Sequence, residues 1–128
     1  MPMKRANTTE EPFTVDETLD SEMCHLVADF FTVYAHPVRI SVFCALRTGP
    51  RRVTELAEHA GVSLQNISQH LRILRDRGAV VARKDGQQTY YSIANKKYLM
   101  GVKMIRDALV EDMQKRAERH RTIARRGA

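Results

Sequence analysis

The chain has 128 residues, 43% of them hydrophobic, and carries 21 Lys and Arg against 15 Asp and Glu for a formal charge of +6. That length suits one domain with a modest core, and no apolar run approaches the roughly 20 residues needed to span a bilayer. A basic surplus favours polyanions, because neutralising phosphates releases their counterions.

The positive charge is concentrated in residues 72–84 and 115–126, whereas 10–29 are acidic. Lys4 and Arg5 are followed by a polar, acidic segment with no apolar run, so no signal peptide is expected and the cytoplasm is the default compartment. Residues 1–13 hold two prolines without apolar periodicity and read as a mobile arm. From Thr14 or Asp16 the pattern turns helical. Leu19, Met23, Leu26, Val27, Phe30, Phe31 and Tyr34 give this first helix a wide apolar face, suggesting burial on more than one side. His36-Pro37 interrupts it, since the residue before proline is pushed out of the helical region. Pro37 then suits the first turn of a second helix. With Val38, Ile40, Val42, Phe43, Cys44 and Leu46, that helix is almost wholly apolar and reads as a core element ending at Gly49-Pro50.

Arg52–Ile93 holds the most informative pattern. A short helix starts near Thr54, buries Leu56 and Ala57, and breaks at Gly61. Ser63 suits the N-cap of a longer helix because its hydroxyl can accept an orphan backbone N–H. In that helix Leu64, Ile67, Leu71 and Leu74 recur at spacings of three and four, forming one apolar stripe. Gln65, Gln69 and Arg72 point the opposite way, Asn66 lies beside them, and Ser68 and His70 sit on the flanks. Exposed amides near a helix start suit base reading, since Gln and Asn pair bidentately with adenine. Past Gly78, the alternating runs 79–83 and 89–93 flank Lys84-Asp85-Gly86-Gln87, a strong hairpin signal. The fold class is therefore mainly α with a small β-hairpin wing, a winged helix-turn-helix. Arg51 and Arg52, just before the first helix of this unit, suit phosphate contacts.

Asn95 can cap a final helix running to about Arg119. Its stripe, Tyr98, Val102, Ile105, Leu109 and Met113, is widened by Leu99 and Val110. A long amphipathic helix beyond an already compact domain needs a partner. Packing on the first helix and on a second copy of the chain would supply one. The folded domain is thus expected over 14–120, with a flexible basic tail at 121–128. No Ser/His/Asp arrangement, carboxylate pair or phosphate-cradling glycine loop argues for an enzyme.

The element order, with HPVRISVFCAL, VTELAEHAGVSLQNISQHLRILRDRGAVVARKDGQQTYYSI and a long last helix, resembles the ArsR/SmtB family of winged-helix repressors over roughly residues 22–113. The resemblance implies a homodimer joined by its first and last helices and bound to double-stranded operator DNA. Ser63–Arg77 becomes the recognition helix, with Gln65, Asn66, Ser68 and Gln69 as base readers and His70 and Arg72 nearer the phosphates. Arg83, Lys84, Gln87 and Gln88 become wing contacts.

The resemblance also implies release by a ligand, a metal or thiol oxidation, yet the known sensor patterns are incomplete. TELAEHA lacks the cysteines of the arsenic and heavy-metal type. The zinc type needs a His two after Asp107 and a carboxylate three after His120, where Leu109 and Ile123 stand. Cys44 matches one cysteine of the reactive-sulfur type, but the last helix has none, leaving Cys24 as the only partner. Three readings of Cys24 and Cys44 stay open: small buried hydrophobes, a redox- or persulfide-responsive thiol pair, or a thiolate site for arsenite or a soft metal, helped by His25. In the first case the chain would be a constitutive DNA-binding regulator or architectural protein.

Overall fold

The structure, a computed structural model, describes residues 20–127. The expected N-terminal arm, the expected helix start at Thr14 or Asp16, and Ala128 lie outside the described residues. The chain divides into two compact units, one ending at Ala35 and the other beginning at His36.

The described part of the first unit is helix α1, Ser21–Tyr34. Asp20 caps it, its carboxylate accepting the Met23 backbone N–H at 2.9 Å, which satisfies one of the orphan donors of the first turn. Phe30 meets Phe31 edge-on at 5.4 Å and lies 4.2 Å from the Tyr34 ring. Val33 and Tyr34 are buried, but Met23, Leu26 and Phe31 are exposed. Among the described residues of this helix, burial is confined to Val33 and Tyr34, where the sequence suggested burial on more than one side.

In the second unit, helix α2 spans Pro37–Leu46. His36 is extended, and its Nδ1 accepts the Val38 N–H at 3.1 Å, so the imidazole takes the place of the usual hydroxyl or carboxylate cap. Strand β1, Arg51–Arg52, leads straight into α3, Val53–Ala60. Gly61 closes α3 in the left-handed conformation, φ +71°, where a glycine avoids the Cβ clash. Helix α4, Leu64–Asp76, follows with Ser63 as its cap, the hydroxyl accepting the Asn66 N–H at 3.1 Å.

Val42 and Phe43 of α2, Leu56 of α3, Ile67, Leu71 and Leu74 of α4, and Val80 are essentially inaccessible. These side chains make the core where α2, α3, α4 and the sheet meet. Burying each large aliphatic contributes about 1.5–3 kcal/mol. Leu64, placed in the same stripe by its spacing, is instead 52% exposed. It stands at the first position of α4, one turn short of the core.

Strands β2, Val80–Asp85, and β3, Gln88–Ile93, pair antiparallel from Val80 opposite Ile93 to Asp85 opposite Gln88. The strands run further towards the tip than the alternation suggested, leaving only Gly86 and Gln87 as the loop. Gly86 has φ +66°, as tight hairpin turns require at their first position. The sheet also has a third strand that sequence reading did not provide. β1 adds to the free side of β3, Arg51 opposite Tyr91 and Arg52 opposite Tyr90, giving the order β1-β3-β2.

Helix α5 spans Lys96–Gly127, 32 residues or about 48 Å. Asn95 accepts the Lys97 N–H at 2.9 Å, as a cap should. The helix continues past Arg119 through the basic segment expected to be a flexible tail. Ion pairs at helical spacing, Lys103 with Asp107 at 3.0 Å and Arg116 with Asp112 at 3.0 Å, brace its middle, and Arg121 with Glu118 braces the extension. No residue of α5 is buried. Among the described residues, no helix is long and apolar enough to cross a membrane.

Candidate nucleic-acid interface

Helix α4 has two opposed faces. Ile67, Leu71 and Leu74 are fully buried, whereas Gln65, Asn66, Ser68, Gln69 and Arg72 are exposed. Burial of the apolar side fixes the rotation of the helix, because turning it by one residue would lift leucines into water and push amides into the core. The polar face is therefore held outward by the packing beneath it. Ser63 is exposed, but its hydroxyl is occupied by the Asn66 N–H, making it a cap before it is a contact.

The wing presents Arg83, Lys84, Gln87 and Gln88, all exposed, at the end of the hairpin furthest from the core. Between Arg83 and Gln88, Asp85 is the only acidic side chain among them. Helix α4 and strand β2 pack directly on each other, so the helix is joined to the wing by packing as well as by the chain.

Arg51 and Arg52 sit differently from their expected role. The Arg51 guanidinium donates to Thr48 Oγ1 at 2.9 Å and to the Ala45 carbonyl at 3.4 Å, and lies 3.9 Å from the Glu55 carboxylate. Arg52 pairs with Glu55 at 3.3 Å, while its backbone N–H donates to the same carboxylate at 2.9 Å. That backbone bond, followed by the Arg52 and Arg51 charges, holds the Glu55 carboxyl below its ordinary range against the opposing effect of desolvation. Both arginines are half-buried strand residues that also anchor the start of α3.

His70 also departs from expectation. It is half-buried, and its Nδ1 accepts from Arg39 Nε at 3.2 Å. Its ring lies 4.3 Å from that of His36. Desolvation, then the charges of His36 and Arg39, hold its pKa below the ordinary histidine value. Arg39 was missed from sequence because a single arginine in an apolar helix carries no pattern linking it to a residue thirty-one positions later.

Cys24 and Cys44 are both exposed, and neither is in a disulfide. Of the three open readings, that of two small buried hydrophobes does not match this exposure in the single chain. Cys44 is nevertheless flanked by buried Phe43 and Ala45, because helical rotation turns that one position of α2 outward. Next to Cys24, His25 donates from Nδ1 to the Ser21 carbonyl at 2.8 Å, which leaves Nε2 as its unprotonated nitrogen when neutral.

Residues 34–83 match the family model described as a helix-turn-helix domain. The chain is 39% identical over 75 residues to the HTH-type transcriptional regulator NmtR of Mycobacterium tuberculosis, covering 59% of this chain and 62% of that protein. It is 32% identical over 95 residues to the transcriptional repressor SmtB homolog of a Synechocystis strain, covering 74% of this chain and 72% of that protein. The chain thus spans less than two thirds of NmtR but more of the SmtB homolog. Among solved structures, that of Rv0081 from M. tuberculosis superposes with a TM-score of 0.68 at 34% identity, covering 77% of this chain and 99% of that one. A shared helix-turn-helix, the wing attached to it, and near-complete coverage of a solved relative lead to one assignment: the chain belongs to the ArsR/SmtB family of winged helix-turn-helix transcriptional regulators.

Proposed function

We propose that the chain is a homodimeric, sequence-specific repressor that binds double-stranded operator DNA and leaves it when an inducer reaches its thiols. The observation that carries the DNA reading is the division of α4 into a fully buried aliphatic face and an exposed face of Gln65, Asn66, Ser68, Gln69 and Arg72. Amides there read base edges in the major groove. Arg83, Lys84, Gln87 and Gln88 on the wing add backbone contacts that set orientation rather than sequence.

The dimer reading rests on uncovered apolar surface. Met104 is 72% exposed, Leu109 59% and Met113 67%, all on α5, and Leu26 and Phe31 of α1 are exposed as well. Contiguous apolar area of this kind on a charged helix marks an interaction surface. A second copy covers like with like through a two-fold axis and sets two recognition helices about 34–36 Å apart, one turn of the duplex.

The inducer reading rests on exposure of Cys24 and Cys44. Exposed thiols are open to a reactive-sulfur species, an oxidant, or arsenite or another soft metal. Release requires the inducer to favour the DNA-free form by a coupling of about 1–3 kcal/mol, roughly 5–150-fold in DNA affinity.

Fluorescence anisotropy with labelled DNA from upstream of the chain's own gene tests the reading. Salt-dependent binding that random duplex does not compete away supports the repressor, and tetrasulfide or arsenite should weaken it in wild type but not in Cys44→Ser. Equal affinity for random duplex removes the sequence-specific reading. Indifference to both reagents, shared by Cys44→Ser and Cys24→Ser, removes the sensor.

A further inference from the structure

Helix α4 is tied to the start of α2 by polar side chains as well as by packing. Arg39 Nε donates to His70 Nδ1 at 3.2 Å, and the His36 ring lies against His70 with centroids 4.3 Å apart. His36 is itself fixed, because its Nδ1 accepts the Val38 N–H and caps α2. Three residues with no apolar role in the core thus join the end of one helix to the middle of the helix proposed to read DNA.

The chemistry of the bond restricts His70 to one state. A guanidinium can only donate, so His70 Nδ1 must carry a lone pair. The neutral ring therefore bears its proton on Nε2. A second proton would occupy Nδ1, abolish the Arg39 bond, and set a cation against Arg39 and beside a second imidazole. The elements packed on α4 bring Glu55, Glu58 and His59 from α3 and Arg83, Lys84 and Asp85 from β2. Among the described residues, the charges acting on His70 are those of His36 and Arg39.

We propose that Arg39 and His36 are positioning residues for DNA reading: they hold α4 through a neutral His70, and protonation of that ring loosens the helix and lowers discrimination between sequences. The inference rests on the DNA reading above and adds a residue-level account of how the reading face is aimed. His70 sits one position from Gln69 and two from Arg72, so a small rotation released there moves both. Amide-to-base pairs are bidentate and intolerant of such movement, whereas phosphate contacts tolerate it.

The folded chain favours neutral His70, whose pKa is depressed from 6.5. The stabilisation it gives is therefore complete above about pH 6.5 and is lost as pH falls through the lower folded value. Added positive charge at low pH strengthens binding to any duplex alike. A ratio of affinities cancels that contribution and isolates discrimination.

The test uses the full chain and two duplexes of equal length and composition, one enriched from a random pool by the wild-type protein and one scrambled. The ratio of affinities for the two should fall about tenfold, the worth of one base contact, between pH 8 and pH 5.5. Arg39→Met should show the low ratio at both pH values. His36→Asn retains a capping side chain and should move the midpoint of the profile to higher pH. Nitrogen-15 NMR of the imidazoles reads the link without DNA. Wild-type His70 should show the Nε2–H tautomer and titrate below 6.5, and both variants should raise that midpoint.

A pH-independent ratio in wild type, with circular dichroism showing the fold intact, overturns the proposal. So does a wild-type ratio and tautomer in Arg39→Met. Should Arg39→Met fail to fold, an unshifted midpoint in His36→Asn has the same force. If the pool yields no enriched duplex, the DNA reading itself falls and the proposal with it, although NMR still reports the Arg39–His70 bond.

Discussion

The Glu55 carboxylate accepts the backbone N–H of Arg52 at 2.9 Å, so one side chain of the third helix holds the strand that leads into it. The strand is β1, whose pairing with Tyr90 and Tyr91 brings the wing to the helix-turn-helix. Glu55→Ala should lower the melting temperature by a few degrees at neutral pH, and Glu55→Gln by less, because the amide oxygen still accepts. Glu55 has a folded pKa held below its ordinary 4.5. Its stabilisation is therefore present above that value and lost as pH falls through the folded one. Melting scans from pH 7 to pH 3 should show wild type and Glu55→Gln converging at the acid end.

The base-reading and backbone-contacting groups should separate in their response to sequence. Gln69→Ala should cost about 1–3 kcal/mol on selected duplex, relax preference at one base position, and leave random duplex unchanged. Lys84→Ala on the wing should weaken both duplexes equally and reduce the salt slope by about one. Titrations at several salt concentrations decide it, and equal losses for Gln69→Ala on both duplexes would remove it from the reading face.

Leu71 is fully buried at the centre of α4. Leu71→Ala should destabilise the chain by about 2–5 kcal/mol in urea unfolding, through lost transfer energy and a residual cavity. Leu64→Ala, although on the same nominal stripe about two turns away, should cost well under 1 kcal/mol because Leu64 is 52% exposed.

Leu109→Glu should leave the helix-turn-helix folded but shift the chain from dimer to monomer in sedimentation equilibrium. DNA affinity should then fall steeply, since two linked half-sites bind far more tightly than one. A dimer that survives Leu109→Glu combined with Met113→Glu would place the interface elsewhere.

The helix pair and wing were legible in the sequence because each carries a local, repetitive signal: leucines at helical spacing, a Ser63 cap, and alternation on either side of a glycine turn. What escaped lacked such repetition. A two-residue strand has no period, so Arg51 and Arg52 suggest phosphate contacts from sequence, while the pairing that makes them a sheet edge anchored by Glu55 and Thr48 stays hidden. Periodicity put Leu64 on the apolar stripe, but only the packing reveals that the core stops at Ile67. Cys44 looked like core by its neighbours, and the helical angle turns it outward. His70 gave the same kind of error in the other direction: a flanking polar residue reached inward because Arg39 was waiting there.

The addition of β1 to the free side of β3 has a mechanical meaning. Covering that edge leaves the hairpin no exposed β3 backbone to pair along its base, and it clamps the wing at one end to the start of α3 and at the other to α4 through β2. A hairpin joined at only one end would swing like a flap and meet DNA at many angles. One clamped at both sides behaves as the arm of a set square, so the groove-facing helix and the wing arrive together at a fixed angle.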